Sequence, residues 1–172
     1  GSMNPHERRS SFRQVELEHD NIRAAIRHLI RTGCAEWALR LGAAQQWFWE
    51  QQELFTEGRQ VFEEILCMRG AEQLTASRAR SVYSAATMSY RLNDFAIASN
   101  RMQEAVRIFR HLNDGQGLAS ALLGAGAPMQ RLHRFTEARL LVEEAARIWA
   151  ELGDERARDY ALNNLANIAQ AE

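Results

Sequence analysis

Apolar positions recur every three or four residues along most of the chain. The set Ile22, Ala25, Ile26, Leu29, Ile30 has the i, i+3, i+4, i+7, i+8 spacing of an amphipathic helix. Phe12, Val15 and Leu17 precede it, so helices are predicted over 10–19 and 20–32, adjoining or fused. Asp20 or Asn21 suits the start of the second, and Gly33 its C-terminal stop. Residues 1–10 are polar and read as a loose arm. The same periodicity predicts helices over 35–51, 54–69, 74–92, 94–111, 115–132, 134–151 and 154–170. Pro128 falls inside one of them, where it removes a backbone bond and predicts a kink shaping that helix's surface.

The apolar pattern repeats at a fixed step. Arg91-Leu92-Asn93-Asp94-Phe95-Ala96-Ile97-Ala98 returns forty residues later as Arg131-Leu132-His133-Arg134-Phe135-Thr136-Glu137-Ala138. Of the 36 aligned pairs from 91/131 to 126/166, 12 are identical, and they fall at helical spacing. Forty residues before Phe95 stands Phe55, followed by Gly58, Phe62 and Ile65 in the same register. A fixed period of this size marks stacked supersecondary units, each burying its apolar face on its neighbours. The units are 33–72, 73–112, 113–152 and a half unit, 153–172, after a lead-in of 1–32. The expected fold is all-α: a right-handed superhelical stack of antiparallel helix pairs, an α-solenoid. In each pair an aromatic (Phe55, Phe95, Phe135) opens the second helix, and a small residue three on (Gly58, Ala98, Ala138) admits a close crossing. If fully buried, Phe95 or Phe135 replaced by Ala would cost roughly 3–5 kcal/mol. The half unit leaves an apolar face open, which implies a larger protein or a second copy covering it through the last helix.

Composition narrows the function. A net charge of -1 offers no overall basic field for nucleic acid or membrane. No run of 18 apolar residues exists, so no membrane-spanning helix is expected. Cys34 and Cys67 have no partner framework and fit a reducing cytoplasm. All 21 basic residues are Arg, which excludes a phosphate-loop lysine and a Schiff-base lysine. His6, His19, His28, His111 and His133 are scattered, with no metal-ligand spacing. Glu63-Glu64 and Glu143-Glu144 point apart on their helices and read as solvated, not as an acid–base dyad. The glycines at 115, 117, 124 and 126 lack the strand and Lys-Ser/Thr of a phosphate loop, and Gly126 reads as a close-packing position. No catalytic constellation, metal site or cofactor is expected. In Trp47-Phe48-Trp49 the three rings cannot share a face: Trp49 is expected in the core, and Trp47 either in a groove or against the N-terminal helix.

The repeated pattern resembles the tetratricopeptide repeat. Leu165-Ala166 and Ala125-Gly126 fill that family's Leu/Gly positions, while 95/98/105 and 135/138/145 fill its aromatic and small positions. Ala85-Ala86, Ser89 and Gln45-Gln46 depart from it. The run Leu17-Glu18-His19-Asp20-Asn21-Ile22-Arg23-Ala24-Ala25-Ile26, with Trp47-Phe48-Trp49 and Glu57-Gly58-Arg59, is similar to a segment of bacterial LuxR-type and related regulators. There it joins a signal-transducing ATPase module to a repeat domain. This resemblance implies a non-enzymatic module of a cytoplasmic signalling or transcription regulator, binding a protein or peptide through a concave groove. A small-molecule sensor and a self-associating scaffold, with homodimerisation through the last helix, are the alternatives; direct nucleic-acid binding is not implied. The family's groove positions fall on Arg40, Trp47 and Glu50, then on Arg80, Tyr83, Thr87, Tyr90 and Arg91. They continue with Leu123, Gln130 and Arg131 and end on Tyr160, Asn163 and Asn167. A mixture of aromatics, amides and arginines suits an extended peptide or a polar small ligand.

Overall fold

A computed structural model describes the backbone of residues 5–172 and the side chains from Glu18 onward. The described chain is all helical: α1 (Pro5–Arg31), α2 (Ala35–Ala44), α3 (Gln46–Gln51), α4 (Phe55–Leu66), α5 (Ala76–Arg91), α6 (Phe95–His111), α7 (Gly115–Arg131), α8 (Phe135–Leu152) and α9 (Glu155–Ala171). Helices adjacent in sequence pack on one another. None is long and apolar enough to cross a membrane.

One turn recurs between them. Gly33, Glu53, Asn93, Asn113, His133 and Gly153 all adopt left-handed backbone, φ 55–75°. The amide of the following residue donates to the carbonyl five positions back, at 2.9–3.1 Å in every case, closing a Schellman-type stop. That next residue's own carbonyl accepts the first bond of the new helix (Ala98 to Asp94 2.9 Å, Ala138 to Arg134 3.0 Å). One turn therefore both ends a helix and starts the next. These positions are spaced by 20 residues except around 73, where a longer connection runs from Cys67 to Thr75. Thr75 then caps α5 by accepting from the Arg78 amide, 3.2 Å.

Paired helices run antiparallel. A side chain at Gly115, at the start of α7, would touch Leu152 at the end of α8, and one at Gly126 would press Val142 at 2.7 Å. The small residues Ala98, Ala138, Ala105 and Ala145 are fully buried, as are Trp49 and Phe62, whose rings meet edge to face at 5.3 Å. One core gathers Ile26, Leu39, Trp49, Phe62, Ile65 and Met88; a second gathers Val82, Phe109, Leu122, Val142 and Trp149. α5 contributes to both.

Several expectations are corrected. Of the two readings of the lead-in, the fused one holds: α1 is one helix, so Asp20 and Asn21 are interior, exposed positions rather than caps. Its backbone is already helical from Pro5; residues 1–4 lie outside the described residues, as do the side chains of His6, Phe12, Val15 and Leu17. The helix expected over 35–51 is divided at Gln45, whose amide bonds three back to Gly42 (3.0 Å) and tightens the turn. Phe55, Phe95 and Phe135 do open α4, α6 and α8, but are only half-buried, which lowers the cost of truncating them. Glu144 is not simply solvated: it pairs with Arg110 of α6 at 2.6 Å. Pro128 lies inside α7, within the span Gly115–Arg131, and is buried. Gly126 is a contact position against Val142, and Gly124 another, where Tyr83 approaches within 3.0 Å of the added carbon.

Candidate functional site

The first helices of successive pairs lie side by side and parallel. A ladder of hydrogen bonds joins α2/α3 to α5, stepping about forty residues each time. Ser77 donates to Glu36 (2.6 Å), Ser81 to the Leu39 carbonyl (2.9 Å), Ser84 to Gln46 (2.5 Å) and Arg91 to Glu50 (3.3 Å). Gln46 completes a relay by donating to Glu50, 2.7 Å. Buried serines thus replace apolar packing here and fix the register of the two units. Tyr83 of α5 in turn packs against Gly124 of α7, a contact that a side chain at 124 would crowd.

Between these helices opens a cleft of about 1040 Å³. Its walls are Glu36, Arg40 and Gln46 of α2/α3, then Ser77, Arg80, Tyr83 and Ser84 of α5. Phe109 of α6 and Asp114, Gln116 and Ser120 around the start of α7 close the far side. Glu36 accepts from Ser77 (2.6 Å), from Arg40 (2.7 Å) and from Thr75 (3.4 Å). The Ser77 hydroxyl, helped by Arg40 and Thr75, holds the Glu36 carboxyl below its ordinary value against the opposing effect of burial. Asp114 accepts from the Gly117 amide, 2.9 Å. Arg40 also lies over the Trp37 ring, 5.3 Å from its centre. Arg80 is exposed and has no ion-pair partner among the described residues. Tyr83 is largely enclosed; burial, then the nearby Glu50 and Tyr160, raises its phenol above the ordinary value, with the Thr87 hydroxyl opposing. The cleft thus combines Arg80, which has no ion-pair partner among the described residues, the carboxylates of Glu36 and Asp114, hydroxyls and amides, and the rings of Tyr83 and Phe109.

Of the residues projected as groove positions, Arg40, Arg80 and Tyr83 come together in this cleft. Glu50 and Arg91 pair with each other on the same ladder, outside the cleft wall. Thr87 donates to the Tyr83 carbonyl, 3.1 Å. Tyr90 packs on Phe95 (ring centres 5.6 Å), and Arg131 lies over the same ring at 5.3 Å. Leu123 and Gln130 are half-buried on α7; Tyr160, Asn163 and Asn167 are exposed on α9. Trp47 is 71% exposed and lies outside the cleft. Phe48 takes the place against α1, stacking on His19 at 4.2 Å. Glu36, Gln46, Ser77, Ser84, Gln116 and Ser120 were not legible as site residues. Gln46 breaks the apolar pattern in the middle of the helix expected over 35–51, and that break was the available signal. Among the described residues no group of His, Cys, Asp and Glu is placed to hold a metal ion.

Fold and cleft define an all-α chain of sequence-adjacent helix pairs whose first helices share one polar, open side. No family model matches this chain, and no curated protein matches it. Among solved structures it is similar to BtubC (BKLC) from P. vanneervenii, with a TM-score of 0.64 at 13% sequence identity. The alignment covers 94% of this chain and 77% of that one. At this identity the likeness concerns the fold alone.

Proposed function

We propose that the chain is a tetratricopeptide-like α-solenoid, a right-handed stack of helix pairs, that acts as a non-enzymatic binding module. It serves a bacterial, cytoplasmic signalling or transcription regulator of the LuxR-type kind and holds a protein segment in the cleft between α2, α5 and α7. The observation that carries this reading is Arg80, without an ion-pair partner among the described residues, beside polar groups held in place by the Ser77–Glu36 and Ser84–Gln46 bonds. Such a cleft presents a ready row of hydrogen-bonding groups to an extended chain, with Arg80 taking a carbonyl or carboxylate. A small-molecule sensor is the second reading, favoured by the cleft's volume of about 1040 Å³ and its aromatic wall at Tyr83.

A thermal-melt screen separates the two. Short peptides, amino acids, sugars and nucleotides are tested against the protein, Arg80→Ala and Tyr83→Phe. A ligand present at a hundred times its Kd adds about 2.7 kcal/mol of stability. Peptide-induced shifts lost in Arg80→Ala support the segment-binding reading. Shifts from one small-molecule class alone, lost in Tyr83→Phe, support the sensor. No shift from any compound, or shifts indifferent to both substitutions, would remove the cleft as the site.

A further inference from the structure

The forty-residue step sets residues of α2, α5 and α7 abreast along the cleft. Glu36, Ala76 and Gln116 form one row. Arg40, Arg80 and Ser120 form the next, about 6 Å further along the helices. The charged residues of the lining are Glu36, Arg40, Arg80 and Asp114, two of each sign. Glu36 and Arg40 meet at 2.7 Å and cancel each other, while Ser77 and Thr75 donate to the second Glu36 oxygen. Arg80 and Asp114 form no ion pair, with each other or with any other described residue. The cleft therefore holds one uncompensated charge of each sign, on neighbouring helices.

The Asp114 carboxylate is only partly used by its own helix. Its Oδ1 accepts from the Gly117 amide at 2.9 Å, and its Oδ2 accepts from no described residue. The start of α7 offsets roughly half a unit of its charge. A side chain at Gly117 would stand 2.9 Å from that Oδ2 and 2.4 Å from the Phe109 ring. Glycine there leaves carboxylate and ring side by side on the cleft wall. The apolar ring reduces local screening and strengthens the attraction of the carboxylate for a cation. Asp114 precedes Ser120, the α7 residue level with Arg80, by about 9 Å along the helix axis.

Resting on the reading that the cleft receives a polypeptide segment, we propose that this segment is dipolar. It brings a Lys or Arg side chain to Asp114 and an Asp or Glu side chain to Arg80. Asp114 is thereby a second anchor, and it determines which segments are accepted. An extended chain rises about 3.3 Å per residue, so base and acid stand about three residues apart. Gln116, exposed and between the two in register, suits the backbone that joins them. A wholly acidic segment meets like charge at Asp114, and a wholly basic one meets it at Arg80, so the same two residues reject both.

The test selects random peptides, displayed between fixed flanks, against the full chain, and reads the charges of the enriched pool. The expected pool carries one basic and one acidic residue roughly two to four positions apart. Asp114→Asn keeps a capping oxygen for the Gly117 amide and removes the charge; its pool is expected to keep the acid and lose the base. Against Arg80→Glu the acid is expected to give way to a second base. Unchanged melting curves check that each variant keeps the fold. In the best peptide of the parent pool, changing the basic residue to Gln is expected to weaken binding to the parent chain about tenfold and to leave binding to Asp114→Asn unchanged. Enriched peptides that need Arg80 but carry no base, or that bind Asp114→Asn as tightly as the parent chain, overturn this proposal and leave the segment reading standing. No enrichment at all overturns both.

Discussion

Glu53 sits in left-handed backbone at φ 55°, a conformation that glycine adopts without a side-chain penalty. Gly33 and Gly153 do the same work in two of the other turns. Glu53→Gly is therefore expected to raise stability by about 1 kcal/mol, read as a higher urea midpoint with an unchanged slope. The recurrence of this turn was hidden in the sequence because only two of its six central residues are glycine; asparagine and histidine tolerate the conformation, and glutamate bears it under constraint from both helices. Glu36 gives the second prediction at this scale. Its carboxyl is held below the usual value of 4.5 by Ser77, so the stabilisation is fully present above that value and is lost as the pH falls through the folded-state pKa. Ser77→Ala is expected to lower stability by about 1 kcal/mol at neutral pH, a modest figure because the Glu36 side chain is 44% exposed. The difference between the two proteins should shrink in melts recorded at pH 3; a difference that is constant with pH would mean that Ser77 acts by packing alone.

At the scale of the element, helix crossings decide. A methyl at Gly126 would stand 2.7 Å from the Val142 side chain, whose branched β-carbon leaves it little room to turn. Gly126→Ala is expected to cost about 1–3 kcal/mol in thermal unfolding, despite the better helix propensity of alanine. Phe135 is half-buried, so Phe135→Ala is expected to cost about 2 kcal/mol, less than a core aromatic. Helix positions were largely legible: the forty-residue apolar step places α4 to α9 within a few residues of their observed ends. The division at Gln45 was not, and the pattern left open whether α1 is one helix or two. The first comes from a single tightened backbone bond, which no side-chain period encodes. The second reflects an uninterrupted polar stretch, where charged residues suit a helix as well as a loop.

For the molecule as a whole, the side-by-side placement of α2, α5 and α7 decides which residues can act together. A register of forty residues is enough to bring Arg40, Arg80 and Tyr83 to one cleft. It is not enough to show that Trp47 turns outward or that buried serines bind unit one to unit two, since both depend on local rotation about the helix axis. The central claim is that this cleft receives a polypeptide segment. It is tested most directly by selecting peptides from a random library against the chain and titrating the best into isotope-labelled protein, following the amide resonances. The largest shifts are expected at Arg40, Arg80, Ser84 and Ser120, with at least tenfold weaker binding by Arg80→Ala. Shifts confined to α6, α8 or α9, with binding unchanged by Arg80→Ala, would contradict it.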